Sequence, residues 1–240
     1  WYRSRGLGDV YKRQDTLLTN AFVDFLKSHS SNLDQLYILG DLYEVWIGDD
    51  DSSSLITSTK DALSKASKAG LEIFFIHGNR DFLLDSSFAE STGISLLPDP
   101  FFFDYFGKKI ALSHGDMFCV DDTEYQTFKK QVRSPKWKTE FLNKSLDERK
   151  SIASSMRDAS KKNSSQKDLM IMDVNINEVA SFFDKHGIDL LIHGHTHKPN
   201  IHELDGKNSK LKRVVLGDWD KTGWCFYLDS TSQNLEEFKI

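Results

Sequence analysis

Two cysteines, Cys119 and Cys225, are all that the 240 residues contain, which excludes a disulfide framework and suits a reducing, cytosolic compartment. Long apolar runs are also missing. Leu71–Ile76 and Ile188–Ile192 fall far short of the roughly 20 residues a membrane-spanning helix requires. The opening stretch WYRSRGLGDVYKRQ has basic residues but no apolar centre, so no secretory signal is expected in it. There is no internal repeat and no low-complexity tract beyond the short polar loop KKNSSQK. With 39% hydrophobic and 12% aromatic residues, a disordered or fibrous chain is excluded. The expectation is one cytosolic globular domain carrying an insertion.

The net charge of −5 is unevenly spread: residues 121–168 hold twelve Lys or Arg against eight Asp or Glu, leaving −9 for the remainder. A local anionic partner, a phosphate group or a membrane surface, would account for such a segment. A solvated helical face is the alternative. No basic cluster is interleaved with aromatics in the manner of a nucleic-acid interface, so no nucleic acid is expected as a partner.

Four short apolar runs end in glycine-containing polar clusters: QLYILGD, LEIFFIHGNRD, KIALSHGD and IDLLIHGHTH. Each has the pattern of a buried strand followed by a turn. Between them lie helical periodicities. One places Leu18, Phe22, Phe25 and Leu26 on one side, another precedes Gly70, and a third precedes Gly187. Alternation of this kind predicts an α/β layered fold with helices on the faces of sheets. The runs RVVLGDW, WCFYLD and LEEFKI are expected to add strands, antiparallel ones. Between about Val120 and Asp168 the spacings Phe128/Val132, Trp137/Phe141 and Ile152/Met156 are helical, which marks a helical cap inserted between two core strands.

Ligands of open α/β sheets sit beyond the carboxyl ends of the strands. There this chain carries Asp41, Asn79, His114 and the group His193, His195 and His197. Carboxylate, carboxamide and imidazole together suit a divalent ion such as Mn²⁺, Fe²⁺ or Zn²⁺. Glycines 40, 78, 115 and 194 allow the sharp turns that bring these side chains inward.

Gly40-Asp41, Gly78-Asn79-Arg80-Asp81, Ser113-His114-Gly115-Asp116 and Gly194-His195-Thr196-His197 resemble the motifs of the calcineurin-like metallophosphoesterases. That resemblance implies their layered sandwich of mixed sheets and a two-metal site. Asp41 would bridge both ions, Asn79, His114 and His195 would complete one shell, and His197 would ligate the other ion. Asn79, Arg80 and His195 would be catalytic, with Arg80 clamping a phosphate oxygen; an ion pair to Asp81 is its structural alternative. His193, outside the motif, is read as a strand residue.

Longer stretches narrow the resemblance. YILGDLYEVWIGDDD, FIHGNRDFLL, IMDVN and LIHGHTHKP are similar, in order and over residues 18 to 220, to the UDP-2,3-diacylglucosamine hydrolase family of lipid A biosynthesis. This implies attack on the α-phosphorus, with release of UMP and 2,3-diacylglucosamine 1-phosphate, and two Mn²⁺ ions. It further implies a lipid-linked UDP-sugar as substrate and peripheral attachment to the cytoplasmic face of the inner membrane. The family's substrate contacts fall on Asn79, Arg80, Asp122, Ser160, Lys167 and His195, with Asn163 and Ser164 competing for a further one. Asp121 and Asp122 have helix capping as an alternative role. Phe128, Val132, Trp137, Phe141 and Ile152 of the cap would line a slot for acyl chains, or form its own core.

Members of the family begin with a strand that carries D-x-H. The nearest stretch here is Asp9-Val10-Tyr11, which has tyrosine for histidine and no apolar run before it. Residues 1–14 are therefore read as foreign sequence standing where that strand belongs, and 15–240 as the metallophosphoesterase domain. Without the motif, Asp9 is a doubtful ligand and the metal at His197 keeps few protein ligands. Two rivals stay open: a phosphoesterase acting on a soluble nucleotide or other phosphoester, and an impaired single-metal module that only binds a phospho-ligand.

Overall fold

The computed structural model describes residues 9–164, 173–205 and 210–240, with side chains described for 16–160, 173–205 and 210–240. Helix α1 (Asp9–His29) leads into β1 (Gln35–Ile38), α2 (Ser54–Lys68), β2 (Glu72–Ile76), α3 (Ser86–Thr92) and β3 (Ser95–Leu97). The three strands are parallel neighbours in that order, with Tyr37 opposite Phe74 and Phe75 opposite Leu96. Parallel strands need covered faces. On α1 the spacing of Phe22, Phe25 and Leu26 buries all three, and α2 contributes Ile56, Leu63 and Ala66.

A second sheet contains β4 (Phe101–Tyr105), β5 (Lys108–Ser113), β6 (Leu190–His193), β7 (Asn200–Asp205) and β8 (Lys210–Val215), in the order β4-β5-β6-β8-β7. β5, β6 and β8 run parallel, while β4 and β7 are antiparallel edges. The expectation of antiparallel C-terminal strands holds for Arg213–Val215 on one side only: β8 pairs antiparallel with β7 and parallel with β6, where Ile192 and Val214 share the apolar layer between the sheets. β9 (Thr222–Leu228) and β10 (Gln233–Lys239) form an antiparallel ribbon. β3, β4 and β7 were not expected from the sequence; β3 has only three residues, and β7 (NIHELD) mixes polar and apolar residues without a continuous apolar run.

Leu39 and Ile76 of the first sheet meet Ile110, Leu112, Leu190, Ile192 and Val214 of the second. Outside this layer, α1, α2 and α3 cover one sheet. Helix α7 (Ile176–His186) covers the other through Val179, Phe182 and Phe183. The result is a helix–sheet–sheet–helix sandwich.

Helices α4 (Thr123–Val132), α5 (Pro135–Leu142) and α6 (Leu146–Ser164) lie between β5 and β6. Asp122 caps α4 by accepting from the Tyr125 amide at 3.0 Å, and Ser134 caps α5 with Pro135 in its first turn. Phe141 and Val132 are buried, and Trp137 stacks on Phe141 at 4.7 Å. Trp137, Phe141 and Ile152 pack with Trp46 and Phe88 of the core, so these side chains hold the cap down.

The charge of this segment has a structural use as well. Lys129 pairs with Asp116 at 2.8 Å, Arg133 donates to the Gly78 carbonyl at 2.9 Å, and Lys138 donates to the Phe82 carbonyl at 3.2 Å. Buried Arg149 donates to the Ile47 carbonyl at 2.7 Å and pairs with Asp50. Arg157 donates to Glu44 at 2.6 Å. Five of the segment's basic side chains thus bind the cap to the loops beneath it.

Among the described residues β1 pairs only with β2, and β9 only with β10. A cavity of about 2370 Å³ is lined by residues 32–46, which include β1, and by residues 224–229 at the end of β9, and it extends to Asp41, His195 and His197. Asp9 opens α1 and does not end a strand, in contrast to the position a D-x-H aspartate would take, and its side chain lies outside the described residues.

Candidate metal centre and its cleft

β1, β2, β5 and β6 each deliver a polar cluster at the carboxyl end. Ser113 is level with His193 in the β5–β6 ladder, so His114 and Gly194 emerge side by side, and the Gly194 amide donates to the His114 carbonyl at 3.0 Å. From the first sheet, Gly40 and Gly78 touch backbone to backbone. A side chain at Gly40 would collide with Gly78, and one at Gly78 with Asp41. That close approach brings Asp41 and Asn79 opposite the histidines.

Two of the turns place non-glycine residues in the left-handed region: Asp41 at φ 55° after β1, and His195 at φ 69° and His197 at φ 54° after β6. Such backbone costs about 1–3 kcal/mol per residue and persists where the surroundings impose it. All three were marked from the sequence as metal ligands.

Asp41, His114 and His195 offer ligand atoms that lie within 4.8 Å of one another. Asn79 Oδ1 is 3.0 Å from His114 Nε2 and 3.0 Å from His195 Nδ1, and the two ring nitrogens are 3.2 Å apart. His114 Nδ1 lies 2.7 Å from the Leu39 carbonyl and must carry a proton to donate to it. In the neutral ring, Nε2 then has a lone pair. Burial, followed by neighbouring His114, pushes the His195 imidazole down to about 3, so it stays neutral at physiological pH. An amide oxygen, a carboxylate and two imidazole nitrogens therefore converge on one point. A divalent cation fits that electron-rich point, and the residues present suit it.

His197 lies apart from this group, 3.4 Å from Asp218 through Nδ1. Asp218 was missed from the sequence. Its signal was available, since Leu216-Gly217-Asp218 follows β8 as Leu39-Gly40-Asp41 follows β1. His193 is buried in β6. Arg213, a pure donor, lies 3.3 Å from its Nε2, so Nδ1 carries the proton and donates to the Gly194 carbonyl at 2.9 Å.

Arg80 does not pair with Asp81. Its Nε is 3.4 Å from Asp41, and its NH1 donates to Glu44. Asp81 is fully buried and accepts the amides of Gly78 and Leu42, each at 2.8 Å. Burial and then Asp41 push its carboxyl up, while the Gly78 amide and His114 pull it down. Asp81 thereby splints the Asp41 and Asn79 loops together. Asp81→Asn offers one carbonyl oxygen where two are used, so one amide loses its acceptor. Loss of such outer support costs 10- to 100-fold in metal affinity. Mn²⁺ titration calorimetry is expected to show at least a roughly tenfold weaker Kd; an unchanged Kd would remove the splint.

Asp116, also missed, is fully buried beside His114. Tyr125 donates to it at 2.6 Å, Lys129 pairs with it, and Arg133 stands 3.5 Å away. This cluster ties α4 to the His114 turn. Of the expected substrate contacts, Asn79, Arg80, Asp122, Ser160 and His195 all line the cavity. The side chain of Ser164 and the whole of Lys167 lie outside the described residues, as does the side chain of Asn163. The cavity's apolar lining includes Phe128, Trp137, Phe141, Ala153 and Met156.

A layered sandwich with a metal-competent cluster at its strand ends defines a metallophosphoesterase. The chain belongs to the calcineurin-like phosphoesterase family, whose model matches residues 7–199. It is 41% identical over 223 residues to the UDP-2,3-diacylglucosamine hydrolase of Cellvibrio japonicus (strain Ueda107), covering 93% of both chains. It is 45% identical over 210 residues to the enzyme of the same name from Escherichia coli O9:H4 (strain HS), covering 88% of each.

Proposed function

We propose that this chain is a metal-dependent hydrolase that cleaves the diphosphate of UDP-2,3-diacylglucosamine at the α-phosphorus, releasing UMP and 2,3-diacylglucosamine 1-phosphate. The observation that carries the proposal is the convergence of Asp41, Asn79, His114 and His195 beside Arg80, at one end of a cleft with both polar and apolar walls. Asp41, Asn79, His114 and His195 would hold one divalent ion, and Asp41 with His197 part of the shell of a second, with Mn²⁺ proposed for both. When bound, such ions lower the pKa of water and neutralise charge on a phosphoryl group.

The chain's own residues orient the substrate. Arg80 stands beside Asp41, where its guanidinium can take a phosphate oxygen of the scissile group. Ser160 and Asp122, on α6 and at the start of α4, face the same cleft and can hold the sugar. Ser164 and Lys167 complete the proposed contacts. Phe128 and Met156 offer apolar wall to the acyl chains. No helix among the described residues is long and apolar enough to cross a membrane. Attachment to the cytoplasmic face of the inner membrane would therefore be peripheral, through the lipid substrate and the outer face of the cap.

The test compares Mn²⁺-dependent UMP release from the diacylated substrate and from UDP-glucosamine. The expected result is a kcat/KM at least about 100-fold higher for the lipid, since burying even a few methylenes contributes about 0.8 kcal/mol each. Equal rates would move the assignment to a soluble nucleotide substrate.

A further inference from the structure

The cap carries a second guanidinium at the cleft that neither the motifs nor the relatives' names point to. Glu44, in the loop after β1, accepts from two arginines, one on each carboxylate oxygen. Arg80 NH1 binds Oε1, and Arg157 NH2 binds Oε2 at 2.6 Å. Arg80 comes from the turn after β2 and Arg157 from the middle of α6. A single carboxylate thus sets the spacing of two guanidiniums from different parts of the fold. Arg157 also lies one helical turn before Ser160, and both line the cavity with Glu44, Arg80 and Asp41.

Both arginines are about one-third exposed toward the cleft, so their remaining donors can reach an anion there. A guanidinium is a planar fork of five donors that can serve a carboxylate and a phosphate together. Arg80 is the nearer of the two to the metal cluster, through its contact with Asp41. Arg157, held on the far side of Glu44, is placed for the next phosphate outward.

We propose that Arg157 is a substrate-binding residue for the phosphate that is not attacked, the one on the sugar side of the anhydride, and that Glu44 is the positioning residue that sets it beside Arg80. The inference rests on the diphosphatase function proposed above, and it makes the site selective for a diphosphate over a monophosphate. Glu44 fixes geometry at the expense of one positive charge. Its removal raises the local potential for every anion alike, but only a diphosphate feels the loss of spacing.

The test measures UDP and UMP affinity by calorimetry, with Mn²⁺ present, for the full chain and for Arg157→Ala, Arg157→Lys and Glu44→Ala. Arg157→Ala is expected to weaken UDP about tenfold while changing UMP less than about twofold, as for one charge-assisted contact. Arg157→Lys should recover part of that loss, because the charge remains and the fork does not. Glu44→Ala should shrink the UDP-to-UMP preference by a similar factor whatever happens to each affinity. Thermal melting of each variant checks that the cap remains docked. Equal losses for UDP and UMP, or none in either, with melting unchanged, would overturn the role of Arg157. If the unaltered chain binds neither UDP nor the diacylated substrate, the diphosphatase function fails and this role with it.

Discussion

Replacing residues 1–14 with an apolar strand that ends in Asp-x-His is expected to raise Mn²⁺-dependent UMP release by about 100-fold or more, roughly 2.7 kcal/mol of transition-state stabilisation. Two features support this proposal. β1 and β9 pair on one side only among the described residues, and one cavity is lined by both strands and reaches Asp41 and His197. An added strand would find backbone partners along β1, as an extended segment does at any exposed sheet edge. Its carboxyl end would lie with the other strand ends, adding a carboxylate and an imidazole to Asp41 and His197. Two protein ligands hold a divalent ion weakly, whereas four suit it, since affinity follows ligand number and geometry. A control strand ending in Asn-x-Ala separates the two effects, because it completes the sheet without completing the metal shell. The expected pattern is higher melting temperature with both strands and higher activity with the first alone. Equal activity of the parent and the Asp-x-His form, both folded and metal-loaded, would sink the idea that residues 1–14 stand in place of a ligand-bearing strand.

His195→Gly is expected to lower activity roughly 1000-fold, measured in the strand-restored background, while lowering the stability of the metal-free chain by less than about 1 kcal/mol. The two effects part because His195 is chemically central and conformationally strained. Its Nδ1 stands 3.0 Å from Asn79 Oδ1 and 3.2 Å from His114 Nε2, so its removal takes a ligand from the converging set. Its backbone lies at φ 69°, where glycine is at ease and histidine is not. Relief of about 1–3 kcal/mol of strain offsets most of the packing lost with the imidazole. Calorimetry should also show loss of one class of Mn²⁺ site, a readout independent of turnover. A drop of several kcal/mol in metal-free stability would mean that His195 serves mainly as a packed core residue. Retained activity would remove it from the metal cluster.

Much of this molecule was legible residue by residue. The four apolar runs became β1, β2, β5 and β6, and the helices before Gly70 and Gly187 appeared where their periodicity put them. The ligand types at Asp41, Asn79, His114 and His195 could be chosen because each sits in a contiguous strand-plus-glycine cluster, where hydrophobic pattern and turn chemistry act locally. Such signals survive in one dimension because strand, turn and ligand are neighbours along the chain.

The tertiary structure alone decided what the cap's charges do. Sequence offered a choice between a solvated face and an anionic partner for the basic segment. Folding placed Arg133 on the Gly78 carbonyl, Arg149 on the Ile47 carbonyl and Arg157 on Glu44. Those partners are separated by 55, 102 and 113 residues, and no local pattern encodes which distant acceptor a guanidinium will meet. The same holds for Asp116 beneath α4 and for Asp218 beside His197. Sequence by itself determined which residues stand ready at the strand ends, because hydrophobicity and turn geometry are local. Only the packing of two sheets and a cap decided which of them meet, because burial brings together carboxylates, imidazoles and guanidiniums that the chain keeps far apart.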